Sequence, residues 1–449
     1  MQPQHSYPLT VLRSDAISSR VRSLITPLAV AGFLVVATLY LLLIPHWLPY
    51  DEPSHFYYVA SIVGLPHFPH PGGPGSLDYE MYKQPPLAYL LYSPFLKAAG
   101  LEVSTQLVVL RVVSVVLGAI TVYVNMRVVQ ALIGAHRLKT LLLAAAGAVM
   151  IFNPAFIAAS CTVTNDGLFD LLTALSILLA IYLVRTPSSQ RSGWLLIGLG
   201  VLVGLDSSTK ALGLPLLLLP VVVYAMRATH LTADRGERER ASTLWPWLVG
   251  ALLVGALLAA PYYVYNLLRY DDPFGTKYWH SLPQAHSRRM RLSDVKGIIP
   301  LGFATFWFFV NYLRNILPSK PARLEYLPFL ALSIAPVAAI VLVAARRGIR
   351  SLVTPARLVV AGAVILSAAG FLYKNIDDFG PEGRYLFGVI GPIAWSIAQG
   401  VAYLVPSRDD KIKRWILRGI IVFMTVYSVY TGYRYLTHAP HIYPHLYQS

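Results

Sequence analysis

Long apolar blocks recur along this chain from residue 24 to residue 436, and the repetition restricts the architectures open to it. A helix rising ~1.5 Å per residue needs about 20 apolar residues to cross the ~30 Å hydrocarbon core of a bilayer. Residues 195–205, 212–224, 247–258 and 359–372 are apolar all round, whereas a helix in a water-soluble domain keeps a polar face. A membrane β-barrel would show short alternating segments instead. With 56% of 449 residues hydrophobic and 13% charged, the chain is too apolar for a soluble domain of this length. The pattern predicts an all-α polytopic membrane protein forming a single transmembrane domain over 1–449. About eleven spans are expected, at residues 24–46, 106–132, 140–158, 167–184, 193–206, 211–226, 245–265, 326–345, 353–373, 385–405 and 415–436. The fifth and sixth are short, and Asp206 and Lys210 between them suggest a shallow hairpin.

Basic residues set the expected orientation. With the amino-terminal segment cytoplasmic, the inner connections collect most of the 37 Lys and Arg, from Arg13, Arg20 and Arg22 to the cluster between Arg408 and Arg418. The largest share of the remainder falls in residues 266–325, a long translocated loop of the kind that escapes the positive-inside rule. The formal charge of +16 then has a topological cause, and no nucleic-acid partner is needed to explain it. The first span follows a polar, basic tail without a small-residue cleavage site, so it reads as a retained anchor in the plasma (inner) membrane. No appended soluble domain is expected. Cys161 is the one cysteine, which excludes an internal disulfide and a cysteine-rich metal site.

Chemistry concentrates after the first span, in the expected outer loop 48–104. Asp51 and Glu52 are adjacent carboxylates at a membrane face, a costly arrangement unless they meet protein, water, a cation or a substrate. A helix running from Asp51 through Gly64 puts Asp51, His55 and Tyr58 on one face, with Glu52 beside His55. The blander role for Asp51 is helix capping. Residues 65–77 are rich in Pro and Gly and carry His67 and His70. A second helix then starts with Pro85 and Pro86 in its first turn, where their missing N–H groups do no harm. Tyr89, Tyr92 and Phe95 on it suggest an aromatic stripe at the headgroups. Lys83 could meet a lipid phosphate or simply snorkel. In the long outer loop 266–325, His280, His286, Arg288 and Arg289 form a basic cluster suited to covering a bound donor or drawing in an anionic acceptor, and residues 299–311 read as a Trp/Phe-rich interfacial helix.

The order of these features resembles the GT-C superfamily of membrane glycosyltransferases, which includes protein O-mannosyltransferases and the aminoarabinose transferases of lipid A. The resemblance rests on the outer Asp51-Glu52-x-x-His55, the stretch Tyr79 to Leu90 containing Tyr82, Lys83, Gln84, Pro85 and Pro86, Asn165-Asp166 at the outer start of the fourth span, and Lys210 after Gly204-Leu205. It continues through Tyr263 to Asn266, Asp272-Pro273-Phe274-Gly275 and Glu382-Gly383-Arg384-Tyr385, so it covers most of the chain. One departure is that the aminoarabinose transferases carry Lys directly before the Pro, where this chain has Gln84.

The resemblance implies a glycosyltransferase that moves a sugar from a polyprenyl-phosphate-linked donor to a glycan, lipid or protein acceptor at the extracytoplasmic face. Asp51 then maps onto the general base, with Glu52 and His55 orienting it, positioning the acceptor or binding a cation. Lys83, Lys210 and Arg384 are candidates for the donor phosphate, with Tyr82, Gln84 and Tyr385 beside the donor and Asn165 and Asp166 toward the acceptor or lid. A divalent cation, Mg²⁺, Mn²⁺ or Zn²⁺, is a candidate cofactor, with Asp51, Glu52 and His55 as its ligands. Two other classes stay open: a lipid-linked-sugar flippase and a non-enzymatic scaffold for cell-envelope assembly. A transporter would call for charges at mid-membrane depth; Asp170, Asp206 and Lys210 instead sit near one end of their spans.

Overall fold

The computed structural model describes residues 9–47, 51–64, 84–97, 102–134, 137–187, 189–228, 242–277, 289–308, 323–405 and 410–442. Among them are helices and turns and no strand, as a bilayer demands of any segment that is not part of a closed barrel. In chain order the helices are α1 (Leu9–Leu43), α2 (Glu52–Gly64), α3 (Leu87–Leu96), α4 (Val103–Ile133), α5 (Lys139–Ile151), α6 (Pro154–Ser160), α7 (Asp166–Leu183) and α8 (Gln190–Ser207). A 3-10 segment, Ala211–Leu218, leads into α9 (Leu219–Ala228), followed by α10 (Trp245–Tyr270), α11 (Val295–Trp307), α12 (Arg323–Arg347) and α13 (Pro355–Asp377). A second 3-10 segment, Gly383–Val389, leads into α14 (Ile390–Leu404), and α15 is Asp410–Ile442.

Nine of these stretches are long and apolar enough to cross a membrane, and ten if α5 and α6, bent by 61° at Phe152 and Asn153, count as one span. The expected fifth span is α8, an 18-residue helix whose apolar middle is flanked by Gln190, Arg191 and Ser192 at one end and Asp206 at the other. The shallow hairpin is not what forms: α8 is 18 residues long, and the 3-10 segment with α9 makes a second stretch of 18.

Two apolar cores lie side by side. One joins α1, α5, α6, α11, α12, α14 and α15 around Phe33, Phe156, Phe329 and Phe387; the other joins α7, α8, α9, α10 and α13 around Ile177, Leu199, Leu216 and Val359. Helix α4 contributes to both. Between lipid-facing helices the hydrophobic effect offers little, so close approach of backbones matters more. The α8–α10 crossing shows this: a Cβ on Gly200 would collide with the Ala251 carbonyl, so only glycine lets the two helices meet there.

Helices α2 and α3 pack on each other and on α4 and α7 at one end of the bundle. This corrects the expected headgroup stripe. Tyr89 and Tyr92 are fully buried, Tyr92 hydrogen-bonding to Ser114 Oγ at 2.8 Å, while Phe95 alone of the three is exposed. Two short helices too small to span are thereby fixed over the ends of α4 and α7, where the candidate site lies.

Candidate functional site

The site begins where α1 gives way to α2. Asp51 has φ 57°, in the left-handed region that Asp tolerates better than most residues, and its carbonyl accepts the His55 N–H at 3.2 Å. The turn separates the two adjacent carboxylates. Asp51 is exposed and lines a cavity, whereas Glu52 is completely buried. Arg111 of α4 donates to both Glu52 oxygens, Nε to Oε1 at 2.9 Å and Nη2 to Oε2 at 2.5 Å, and the Val163 N–H adds a third bond at 2.9 Å. The same guanidinium donates to the carbonyls of Ile44 at 3.0 Å and Pro45 at 2.7 Å. One planar fork thus ties together the end of α1, the start of α2, α4 and the turn before α7.

The cavity has a volume of about 500 Å³ and is lined by residues far apart in sequence: Asp51, His55, Gln84, Asn165, Lys210, Lys374, Glu382, Arg384 and Tyr385, with Tyr262, Tyr263, Phe274, Tyr373 and Phe379 as aromatic walls. Two of its cations, Lys210 and Arg384, are held by the buried carboxylate of Asp166. Asp166, at the first turn of α7, accepts Lys210 Nζ on one oxygen and Arg384 Nη1 on the other at 3.2 Å, and Arg384 Nε pairs with Glu382. The Tyr385 ring lies 4.5 Å from Lys210 Nζ, 5.1 Å from Lys374 Nζ and 5.4 Å from the Arg384 guanidinium, within reach of cation–π attraction.

Arg384 owes its position to Gly383, whose N–H donates to Thr305 Oγ1 of α11 at 2.6 Å. A Cβ on Gly383 would strike the backbone of α11 at Gly302 and Phe306. Gln84 and Asn165 are joined across the rim by Asn165 Nδ2 donating to Gln84 Oε1 at 3.2 Å, and the same amide also donates to the Thr209 carbonyl.

His55 is buried on the cavity wall, its Nδ1 2.8 Å from the Tyr89 hydroxyl. Burial drives its pKa down to about 3; Lys210 and Arg384 push the same way and the Asp166 carboxylate opposes them. The ring is therefore neutral at physiological pH and works as a hydrogen-bonding group.

The structure brings Asp51, His55, Gln84, Asn165, Lys210, Arg384 and Tyr385 to one cavity and places Asp166 just behind it. Glu52 faces away from it, into the Arg111 pair. Arg289 lies outside the lining and reaches Asp377 at 3.4 Å. Tyr82, Lys83, His280, His286 and Arg288, with His67 and His70, lie outside the described residues. Four charged groups went unremarked in the sequence: Arg111, Lys374, Asp377 and Asp378. Their signals were a lone Arg within the second span and a charged cluster just after the ninth, immediately before Glu382. The set Asp51, Glu52 and His55 does not fit a metal: Glu52 is spent on Arg111, and among the described residues no three His, Cys, Asp or Glu side chains converge as ligands.

No protein-family model matches the sequence, and no curated protein matches it either. Solved structures do. The apo oligosaccharyltransferase of Archaeoglobus fulgidus superposes with a TM-score of 0.50 at 12% identity over 92% of this chain and 55% of its own, so this chain spans about half the length of that enzyme. Apo ArnT from Cupriavidus metallidurans superposes with a TM-score of 0.51 at 14% identity, over 94% of this chain and 76% of its own. The chain has the polytopic all-α fold of these GT-C membrane glycosyltransferases.

Proposed function

We propose that the protein is a glycosyltransferase that moves a sugar from a polyprenyl-phosphate-linked donor to an acceptor hydroxyl at the extracytoplasmic face of the plasma (inner) membrane, with inversion at the anomeric carbon. The observation that carries this reading is the convergence in one cavity of a carboxylate at a strained turn, Asp51, with two cations, Lys210 and Arg384, drawn from three distant parts of the chain. Glycosyl transfer from a lipid phosphate needs both kinds of group at the end of a membrane bundle. The likeness in fold to an oligosaccharyltransferase and to ArnT supports the same reading.

In this mechanism the acceptor oxygen attacks the anomeric carbon as the bond from that carbon to the phosphate oxygen breaks, and Asp51 takes the hydroxyl proton. Negative charge then grows on the departing polyprenyl phosphate, and Lys210 and Arg384 offset it. Asp166 and Glu382 keep those two cations oriented before the donor arrives. Neutral His55 hydrogen-bonds the acceptor or sugar; Tyr385, Gln84 and Asn165 shape the donor side. Glu52 supports Asp51 indirectly, by fixing the turn through Arg111. Arg289, paired with the lining residue Asp377, lies near the edge of the site. No step is assigned to a metal, since among the described residues no three ligand side chains converge.

The test is transfer in liposomes containing the purified protein and a panel of defined polyprenyl-phosphate sugars, combined with mass spectrometry of the lipid that co-purifies. Release of free polyprenyl phosphate together with an acceptor one sugar heavier supports the proposal. Unidirectional movement of an intact lipid-linked sugar, with no bond cleaved, would establish the flippase reading instead.

A further inference from the structure

A second cavity, of about 420 Å³, lies at the opposite end of the bundle, between the start of the membrane stretch of α1, the last turns of α4 and the first turn of α5. Its lining includes Ser23, Thr26, Tyr123, Arg127, Gln130 and Lys139 and, among the described residues, no carboxylate. Among the described residues Arg127 and Lys139 have no ion-pair or hydrogen-bond partner, unlike Arg111, Lys210 and Arg384. Two cations facing one concave, acid-free space repel each other unless an anion sits between them.

Further features point to the same ligand. Helix α5 starts at Lys139 without a side-chain cap, so its first backbone N–H groups and the positive end of its dipole add to the field. Gln130 Nε2 donates to Thr26 Oγ1 at 2.6 Å, which leaves the Thr26 hydroxyl hydrogen for another acceptor. Depth also matters. Arg127 is 24 residues beyond Val103 on α4, about 36 Å along the axis, just past a ~30 Å hydrocarbon core measured from the other end. Tyr123, one turn shallower, is half-exposed on the bundle surface, and Leu143 supplies an apolar floor. The groove is therefore cationic at headgroup level and apolar just below, which matches a phosphate carried on acyl chains better than a free ion.

We propose that the groove formed by α1, α4 and α5 binds the phosphate of an anionic phospholipid in the leaflet opposite the candidate transfer site, with Arg127 and Lys139 as its ligands. The experiment uses the full-length protein in detergent and native mass spectrometry, with phosphatidylglycerol, phosphatidylcholine and inorganic phosphate as probes. Retention of phosphatidylglycerol over phosphatidylcholine is expected, falling about fivefold for Arg127→Gln or Lys139→Gln and further for the double variant. The charge-conserving Arg127→Lys should retain the lipid. Phosphatidylglycerol should also raise the unfolding temperature of the wild type but not of the double variant. Equal retention by wild type and double variant overturns the proposal. Displacement of the lipid by millimolar inorganic phosphate overturns it in favour of a soluble phosphate ligand.

Discussion

At the scale of single residues, Asp51 separates capping from catalysis. Asn caps helices about as well as Asp, so Asp51→Asn should fold normally if the residue only begins α2. A general base contributes ~10²–10⁴-fold in rate, and transfer by Asp51→Asn should fall by that factor with no change in unfolding temperature. Retention of half the wild-type rate would remove Asp51 from the chemistry. Arg384 makes a different prediction. Its loss leaves Asp166 still paired with Lys210, so Arg384→Gln should fold but bind the lipid-linked donor about 1.5–3 kcal/mol more weakly, measured by equilibrium binding, the range for a hydrogen bond to a charged group. His55 sets the pH response. Its pKa is about 3 in the folded protein against an ordinary 6.5, so the unfolded chain binds a proton that the folded one refuses. The stability from a neutral His55 is complete above about pH 6.5 and is lost as pH falls toward 3, at up to about 1.4 kcal/mol per pH unit. Unfolding temperatures measured from pH 7 to pH 4 should drop less steeply in His55→Gln than in the wild type.

At the scale of helices, the ion pair of Glu52 and Arg111 is the joint that holds α2 in place. Removing one partner strands a buried charge, and Glu52→Gln or Arg111→Gln should each cost about 3–5 kcal/mol of stability. Replacing both, as Glu52→Leu with Arg111→Leu, should cost less than either single change, because no charge is then stranded. A double variant as unstable as the sum of the singles, by denaturant or thermal unfolding, would contradict that account. This joint also marks what the sequence could and could not reveal. The bounds of α2 were legible because local chemistry sets them, with an acidic start at Asp51-Glu52, whereas α3 begins at Leu87 with Pro86 as its N-cap, so the two prolines precede its first turn instead of lying in it. The partner of Glu52 was not, since Arg111 lies 59 positions away and nothing local indicates which acid it meets. Tyr89 and Tyr92 were misread as lipid-facing for the same reason: an aromatic stripe on a short helix suits a headgroup surface and a packed core equally well. Lys210, Arg384 and Tyr385 were legible as a set through their order along the chain, but the Asp166 bridge between the two cations depends on how α7 packs against the Gly383–Val389 turn.

At the scale of the whole molecule, the arrangement of charge predicts how the protein sits in a bilayer. The two cavities occupy opposite ends of the bundle: one at the start of α7 and the end of α13, the other at the end of α4 and the start of α5. Their electrostatic character differs accordingly. The first mixes Asp51, Asp377, Asp378 and Glu382 with Lys210, Lys374 and Arg384, whereas the second has Arg127 and Lys139 and, among the described residues, no acid. The positive-inside rule favours cytoplasmic exposure of the second end, which also carries Arg137, Arg185, Arg191, Arg346 and Arg347 at helix ends. Glu102 opens α4 at the first end and Gln190 opens α8 at the second, and both are exposed. The one native thiol, Cys161, is buried and donates to the Ala37 carbonyl at 3.3 Å, so it gives little background to thiol labelling. In intact cells a membrane-impermeant maleimide should therefore label Glu102→Cys and spare Gln190→Cys, with both labelled after lysis. The reverse pattern would put Asp51 on the cytoplasmic side and remove the extracytoplasmic transfer reaction, while leaving the two cavities and their chemistry in place.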